Sequence, residues 1–322
     1  MKKFILLLAS LLVTSLSHAQ NSVKFLLDIP PNGTHSWITS AEKDGVFKKH
    51  GLDIEFAIGR GSVNTGVALS SGAAQIGYHD FSGVVIVNSK QTKPGHHAVF
   101  VADDRFQDAL WSLPDSNIKT WGDIKTSTTV AGFPTGTARN VLPAIIDVMP
   151  EFVNTPFPLR APSIVSKKTD MTEGYLTSMY FDLKKLGVTN PTVFSMGDRL
   201  PFAISKVVSV NTEWAEKNPV LVKKLVAALR EAMSLHLNNP AHSILSLSGP
   251  LVATEDLKKL ELERAKYAIE NIVQTEFVKK NGVSNPTALN SRLDQYVTFL
   301  VNKLKLTTRH KNSDYFRLEG GN

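Results

Sequence analysis

Two glycine-containing loops are the first places where this sequence could do chemistry. Residues 59–62 and 132–137 each follow an apolar run and lead into a helix-like segment. Backbone N–H groups at such a helix start can receive an anion or a carbonyl oxygen. The next glycine after Gly61 is Gly66, and no Walker lysine follows, so the spacing matches neither a dinucleotide-binding nor a phosphate-binding fingerprint. Both loops can equally be ordinary strand-to-helix turns.

Polar and aromatic side chains occupy the same predicted strand ends, where ligands bind in open α/β sheets. Asp80 and Glu173 can accept hydrogen bonds from ligand amines or can cap helices. His35 and His79 can donate a hydrogen bond to a ligand or can be solvated loop residues. Rings at these positions can stack on a flat ligand, although core packing is their commoner use. The aromatic residues concerned are Trp37, Tyr78, Phe81, Phe133 and Tyr175.

Several kinds of reactive site lack their usual residues. The chain has no cysteine, which excludes disulfides, thiolate metal sites and a cysteine nucleophile. His96 and His97 are adjacent, so on a strand they point to opposite faces and cannot share a metal ion. No G-x-S-x-G nucleophile elbow occurs. We therefore expect no metal, no cofactor and no catalysis. An enzyme would have to take its general base from Asp80, Glu173, His35 or His79.

The composition is that of a globular protein with room for two lobes. Of 322 residues, 42% are hydrophobic and 20% are charged. The 36 Lys and Arg residues exceed the 29 Asp and Glu residues by 7. This excess is spread along the chain without a dense basic run interleaved with aromatic residues, so nucleic acid is not an expected partner.

The first nineteen residues are typical of a secretory signal peptide. Lys2 and Lys3 precede a short apolar run, and small residues at the −3 and −1 positions define a cleavage site before Gln20. The apolar run is too short for a comfortable membrane helix. A lipoprotein would need a cysteine after it. We expect a soluble periplasmic protein without a lipid anchor.

Strand-like and helix-like patterns alternate along the rest of the chain, which favours an α/β fold with largely parallel sheets. The predicted strands are 23–29, 52–58, 75–78, 97–102 and 128–133. The predicted helices are 37–49, one starting near 64, one starting at 136, one starting at 219, 254–273 and 286–304.

The order of several segments resembles one known family. The resemblance rests on Asn-Gly-Thr-His-Ser-Trp at 32–37 with the run 42–56, on Gly-Ser at 61–62 with the run 68–77, and on the runs 118–124, 211–219, 267–273, 281–283 and 293–295. Together they resemble the NMT1/THI5-like substrate-binding proteins of ABC importers, a family that also contains aliphatic sulfonate, taurine and nitrate binders. Gln75 stands where an acid is usual, and residues 125–127 replace a usual Gly-Lys pair. Residues 28–32 lack the Trp-Phe pair common in pyrimidine binders, and the missing cysteines separate the chain from the family's eukaryotic pyrimidine synthases.

The resemblance implies a two-lobed periplasmic binding protein fold of type II. Each lobe would hold a mostly parallel sheet flanked by helices, with one ligand in the cleft between the lobes. The first lobe is expected from residues 20–104 and 205–322, and the second from residues 105–204. The ligand contacts carried over by position are Asn32, His35, Trp37, Gly61, Ser62, Tyr78, His79, Asp80, Phe133, Thr135, Thr137, Glu173 and Tyr175.

The expected function is that of an extracytoplasmic solute-binding subunit, a monomer that delivers a small molecule to the permease and ATPase of an ABC importer. The ring-rich loops favour an aromatic heterocycle, such as a pyrimidine or vitamin precursor, or an aromatic acid. A small sulfonate, taurine-like or nitrate-like anion would instead use the two helix starts and Arg139. A periplasmic ligand sensor and an enzyme on the same fold are the remaining alternatives.

Overall fold

A computed structural model describes residues 22–133 and 136–318 of the chain. The predicted signal peptide, residues 1–19, lies outside the described residues, and so does Thr135. In the part that the structure describes, no helix is long and apolar enough to cross a lipid bilayer.

The strands of the described residues form two five-stranded sheets. Their bounds are β1 Val23–Leu27, β2 Ile54–Ile58, β3 Ile76–Asp80, β4 His96–Val101, β5 Asp108–Ser112, β6 Thr129–Gly132, β7 Glu151–Asn154, β8 Met171–Tyr175, β9 Thr192–Ser195 and β10 Lys206–Asn211. The first sheet has the order β2-β1-β3-β10-β4 and the second the order β7-β6-β8-β5-β9. The chain thus enters the second lobe after β4 and returns to the first with β10.

Helices cover the sheets and fill the C-terminal third of the chain. Their bounds are α1 Ser36–Lys43, α2 Val46–Lys49, α3 Ser62–Ser70, α4 Phe81–Asn88, α5 Thr137–Val141, α6 Phe157–Val165, α7 Leu176–Lys185, α8 Thr212–Lys217, α9 Pro219–Asn238, α10 Pro240–Ile244, α11 Glu255–Ala268, α12 Glu276–Asn281 and α13 Pro286–Lys303. A π-helix, Ile269–Val273, continues α11.

Each sheet is mixed because the strand that arrives from the other lobe runs against its neighbours. β10 is antiparallel to β3 and β4, and β5 is antiparallel to β8 and β9. The remaining pairs are parallel: β1 pairs with β2 and β3, and β6 pairs with β7 and β8. The register of β10 places Lys206 opposite Asp80, and that of β5 places Asp108 opposite Tyr175. Both pairs therefore lie at strand ends that meet between the lobes.

Three local predictions differ from the structure. The predicted helix 37–49 is two helices, because Gly45 adopts a left-handed conformation with φ of 76° between them. The predicted helix 254–273 changes to a π-helix at Ile269. His79 and Asp80 end strand β3 instead of lying in a loop after it.

The two chain crossovers between the lobes lie side by side and are fastened by α13. The backbone N–H of Asp103 donates to Lys206 O, and the N–H of Ser205 donates to Asp103 O, each at 3.1 Å. From α13, Arg292 donates to Phe202 O at 2.9 Å in the second crossover and to Asp104 O at 2.6 Å in the first. The crossovers therefore form one braced hinge.

Replacing Gly197 by alanine should strain this hinge. A Cβ on Gly197 would stand 2.2 Å from Phe106 O, a backbone atom of the other crossover. We expect Gly197→Ala to lower the free energy of unfolding by ~1–3 kcal/mol, measured by urea denaturation. Gly122→Ala is the control, because its Cβ would meet nothing closer than Thr120 Oγ1 at 3.7 Å. Equal stability of the two variants would contradict the close approach of the crossovers.

Candidate ligand site between the lobes

The centre of the candidate site is a buried ion pair made by Lys206. Its ammonium contacts the Asp28 carboxylate and lies 3.4 Å from Asp80 Oδ1. All three side chains are buried. Burial alone would lower the pKa of Lys206, but the two neighbouring carboxylates outweigh it and raise that pKa above its ordinary value. Lys206 is therefore a fixed cation at the start of β10.

Hydroxyl groups complete the coordination of the two carboxylates. Ser62 Oγ lies 2.6 Å from Asp28 Oδ2 and 2.7 Å from Asp80 Oδ2, so its one proton is shared between two acceptors. Ser205 Oγ donates to Asp80 Oδ1 at 3.1 Å. Burial acts to raise the pKa of both carboxyls. At Asp28 burial outweighs the Lys206 charge, and the pKa is raised. At Asp80 the Lys206 charge and the hydroxyl donors outweigh burial, and the pKa is lowered.

The second lobe reaches this centre with two side chains. Tyr175 ends β8, and its hydroxyl donates to Asp80 Oδ2 at 2.8 Å while accepting from Lys206 Nζ at 2.8 Å. Thr137, the first residue of α5, donates to the same Asp80 oxygen at 3.1 Å. Asp80 therefore joins the lobes directly, and the structure brings together Ser62, Asp80, Thr137 and Tyr175 as the sequence predicted for the cleft.

A second ion pair lies across the cleft, within the second lobe. Arg160 Nη2 is 2.9 Å from Glu173 Oε1, and the same oxygen accepts the backbone N–H of Phe133 at 2.9 Å. The Arg160 guanidinium lies 4.4 Å from the ring centroid of Phe133 and 5.4 Å from that of Phe157. Such a desolvated cation between two rings is well stabilised. Arg160 is thus held in place and its charge is already paired.

A cavity of about 40 Å³ is lined by the Arg160–Glu173 ion pair and by Ser62, Thr137 and Tyr175, whose hydroxyls contact Asp80 of the other ion pair. On the order of one to three water molecules would fill it, so the lobes are closed on each other. It is lined by Ile29, Gly61, Ser62, Asp108, Phe133, Gly136, Thr137, Ala138, Phe157, Arg160, Glu173, Gly174 and Tyr175. A larger depression of about 680 Å³ lies between α9 and α13, and none of the predicted ligand contacts that the structure describes lines it.

Two carboxyl oxygens at the cavity have no hydrogen-bond partner among the described residues. They are Asp108 Oδ2 and Glu173 Oε2, and both are buried. Burial, reinforced by the charge of Asp80, raises the pKa of Asp108 well above its usual range. Burial also raises the pKa of Glu173, against the opposing charge of Arg160. The ionised form of each carboxyl is a buried acceptor without a donor, which is costly, and a ligand group that donates hydrogen bonds would stabilise it.

Several predicted contacts lie away from the cavity, in the core of the first lobe. Trp37 is 2% exposed and packs against Phe100 and Tyr78, at ring centroid distances of 6.1 and 5.9 Å. The Tyr78 hydroxyl donates to the Asp103 carboxylate at 3.3 Å. Helix α1 and strand β3 turn these side chains to the inner face of the lobe, which corrects the expectation that Trp37 and Tyr78 line the cleft.

The predicted histidines are also interior residues. His79 lies between Ser62 O and Ser209 Oγ, at 3.2 and 3.0 Å, and burial lowers its pKa to about 4. Burial lowers the pKa of His35 to about 3, so both rings are neutral at physiological pH. They pack beneath the site and do not line its cavity, which corrects their expected role as ligand donors.

Two further residues that the sequence predicted for the ligand site, Asn32 and Arg139, lie outside the cavity lining. Asn32 caps the 3-10 turn Gly33–His35 by accepting from Thr34 N at 2.9 Å, and its amide donates across the lobes to Ser178 Oγ at 3.3 Å. The Arg139 guanidinium lies 5.9 Å from the Phe152 ring centroid and is not part of the cavity lining.

Sequence reasoning missed four charged residues of the site. They are Asp28, Asp108, Arg160 and Lys206. Each is a single charge within or beside an apolar run, as in Phe-Leu-Leu-Asp-Ile for Asp28. Burying such a charge is unfavourable unless it is paired, so lone charges in apolar strands are the signal that would have found them.

Comparison with known proteins decides the family. Residues 32–243, well over half of the chain, match the family described as NMT1/THI5 like. The chain belongs to the NMT1/THI5-like family. A search of curated protein sequences finds no match.

Solved structures share the fold of this NMT1/THI5-like protein at low sequence identity. The alkanesulfonate-binding protein SsuA from Xanthomonas axonopodis pv. citri, bound to MOPS, is similar with a TM-score of 0.70 and 12% identity over 92% of this chain and 98% of that chain. The periplasmic aliphatic sulphonate-binding protein SsuA from Escherichia coli is similar with a TM-score of 0.63 and 14% identity, over 91% of this chain and 96% of that chain. The periplasmic nitrate-binding protein NrtA from Synechocystis PCC 6803 is similar with a TM-score of 0.56 and 13% identity, over 76% of this chain and 68% of that chain. These likenesses confirm the predicted two-lobed periplasmic binding fold, and these neighbours are solute-binding proteins.

Removing the Lys206 charge should destabilise this NMT1/THI5-like protein strongly. Lys206→Met leaves the buried carboxylates of Asp28 and Asp80 without their cation, so we expect a loss of ~3–5 kcal/mol in the free energy of unfolding. Lys217→Met is the control, because Lys217 is 70% exposed and its one ion pair among the described residues is with the exposed Glu213; its loss should be below ~1 kcal/mol. Urea denaturation measures both, and similar losses would contradict the central role of Lys206.

The Asp103 carboxyl should make stability depend on pH. Burial raises the pKa of Asp103 to about 7, well above the ordinary value of an aspartate, 3.8. Since the folded pKa is above the unfolded one, the protonation-linked stability is complete below about pH 4 and is lost as the pH rises to 7. Wild-type protein should therefore lose stability relative to Asp103→Asn across that window. Urea denaturation from pH 4 to 8 measures the difference, and parallel profiles for the two proteins would contradict the raised pKa.

Proposed function

We propose that this protein is the extracytoplasmic solute-binding subunit of an ABC importer, and that its ligand is a small flat compound with N–H donors, such as an aromatic heterocycle. The family match and the two-lobed fold support the binding role. The observation that carries the ligand class is the pair of unpartnered carboxyl oxygens, on Asp108 and Glu173, at the cleft cavity. The protein would act in the periplasm as a monomer, with the permease and ATPase as its partners.

Ligand N–H groups would satisfy these two acceptors. A buried polar atom without a partner costs about 1–3 kcal/mol, and a donor from the ligand removes that cost. The Phe133 ring and the Tyr175 hydroxyl flank the same cavity, so a flat compound could present its edge to the carboxyls. An aromatic heterocycle with an amino group has this combination of shape and donors.

An anionic ligand is the second candidate, since the named neighbours bind sulfonates and nitrate. Within the described site, however, Arg160 is paired with Glu173, and Lys206 is paired with Asp28 and Asp80. An anion entering the cavity would approach the free oxygens of Asp108 and Glu173 instead of a free cation. Since both cations of the described site are already paired, the charge pattern favours a donor over an anion.

Closure of the lobes is the step that would couple binding to delivery. Tyr175 and Thr137 already bridge to Asp80 from the second lobe. A ligand that contacts Asp108 or Glu173 of the second lobe together with Ser62 of the first would stabilise the closed form, because those contacts exist only when the lobes approach. The 40 Å³ cavity must widen for an organic ligand, and the hinge allows this by rotation.

Thermal unfolding of residues 20–322 with a compound panel tests the ligand class. The panel holds benzamidine, 4-aminopyridine, 2-aminobenzimidazole, aromatic acids, alkanesulfonates and nitrate. A ligand at a hundred times its Kd adds about 2.7 kcal/mol of stability, so N–H-bearing compounds should raise the Tm. Asp108→Asn should weaken the best of them at least about tenfold, because it replaces one of the two carboxyl oxygens, an acceptor, by an NH2 group, a donor.

The control variant is Asp256→Asn, at a residue whose side chain is 94% exposed; it should bind like wild type. Stabilisation by sulfonates or nitrate alone would replace the proposed ligand class with the anionic one. If the protein binds the ligand but a reconstituted permease does not transport it, the alternative role of a periplasmic ligand sensor would be favoured.

A further inference from the structure

We propose that Tyr175 and Thr137 form an autoinhibitory latch, which holds the lobes in a tight closed form that excludes the ligand. The hydroxyls of both residues reach from the second lobe to Asp80 of the first, at 2.8 and 3.1 Å. Tyr175 would then compete with the ligand instead of binding it. The effect of the latch on ligand affinity rests on the proposed function, whereas its effect on the distance between the lobes does not.

The tight closed form has no room for an organic ligand. The cavity between the lobes has a volume of about 40 Å³. A cavity on the order of 150 Å³ is what binds a single benzene ring. The ligand must therefore enter a form in which the lobes stand further apart, and each contact that draws the lobes into the tight form opposes binding.

The Tyr175 hydroxyl makes two bonds to charged partners across the cleft. Its proton goes to Asp80 Oδ2, because Lys206 Nζ, at 2.8 Å from the same hydroxyl, can only donate. Burial raises the pKa of Tyr175 well above its ordinary value, so the hydroxyl keeps this proton. Hydrogen bonds to ionised groups are stronger than those between neutral groups, so this contact is a strong link between the lobes.

The latch supplies two of the three donors to one carboxylate oxygen. Asp80 Oδ2 accepts from Tyr175, from Thr137 and from Ser62, the last at 2.7 Å. Ser62 belongs to the first lobe, and Asp28 competes for its single proton. When the lobes separate, Asp80 Oδ2 keeps only this shared donor among the described residues. The cost of separation therefore falls on a charged oxygen.

Other contacts across the cleft do not involve the latch. Asn32 Nδ2 donates to Ser178 Oγ at 3.3 Å, which joins two neutral groups outside the cavity lining. Helix α11 reaches both lobes through Glu261 and Arg264, which bind the loop after β1 and the start of α7. The variants used below change none of these four residues, so they isolate the contribution of the latch.

The distance between the two outer sheet edges reports whether the lobes are closed. Strands β2 and β7 are the edge strands farthest from the crossovers in the two sheets. Each carries an exposed residue, Ile58 in β2 and Val153 in β7. Since the chain has no cysteine, Ile58→Cys and Val153→Cys allow two spin labels to be attached specifically. Double electron–electron resonance on residues 20–322, without added compound, then measures the distance between the labels.

Removing either latch hydroxyl should lengthen this distance. A hydrogen bond to a charged group is worth roughly tenfold to a hundredfold in an equilibrium constant, so Tyr175→Phe should populate longer distances than wild type. Thr137→Val should act in the same direction with a smaller effect. Ser205→Ala is the matched control, because it removes a donor to the same carboxylate, at 3.1 Å from Asp80 Oδ1, that does not come from the second lobe. It should keep the wild-type distances.

The same substitution should tighten ligand binding. Apparent affinity is the intrinsic affinity multiplied by the fraction of molecules that can bind, and Tyr175→Phe raises that fraction. Isothermal titration calorimetry should therefore give a Kd for benzamidine at least about threefold lower than in wild type. Tyr180→Phe is the control, because Tyr180 is a 39% exposed tyrosine outside the cavity lining; it should bind benzamidine like wild type.

Each contrary outcome has a distinct meaning. If Tyr175→Phe and Thr137→Val both keep the wild-type label distances, no latch exists and the proposed function stands. If the distances lengthen but Tyr175→Phe binds benzamidine more weakly, Tyr175 is a ligand contact and its role as a competitor is wrong. If neither wild type nor any variant binds benzamidine, the proposed ligand class fails, and the label distances alone decide whether the latch exists.

Discussion

The buried contact between Lys206 and the carboxylates of Asp28 and Asp80 is the interaction on which the rest of the cleft depends. A lone charge at this depth would be strongly destabilising, so each of the three residues requires the others. Lys206 is also the first residue of the strand by which the chain returns from the second lobe. The ion pair therefore fixes where that strand enters the first sheet, and with it the position of the hinge.

The C-terminal third of the chain holds both lobes around this centre. Arg292 of α13 binds backbone carbonyls of both crossovers, and Arg264 of α11 binds the start of α7 while its partner Glu261 binds the loop after β1. These contacts explain why a solute-binding fold of two lobes carries long helices beyond its second crossover. Opening of the cleft must occur by bending between these fixed points.

The sequence predicted the alternating fold and part of the candidate site, for identifiable physical reasons. Ser62, Asp80 and Tyr175 could be found because each lies at or soon after the carboxyl end of a strand, where ligands bind in open α/β sheets, and because the family resemblance carried their positions over. Trp37 was misplaced because an aromatic residue near a strand end serves a core as well as a cleft. Lys206 could not be assigned a partner, because the carboxylate of Asp28 lies 178 positions away in the chain.

A crystal structure of residues 20–322 with the N–H-bearing compound that gives the largest thermal shift tests the central claim most directly. The account predicts ligand nitrogen atoms about 3 Å from Asp108 Oδ2 and Glu173 Oε2, in a cleft cavity wider than the 40 Å³ of this structure. A compound bound elsewhere, or bound in the cleft with an anionic group facing Arg160 and Lys206, would contradict it.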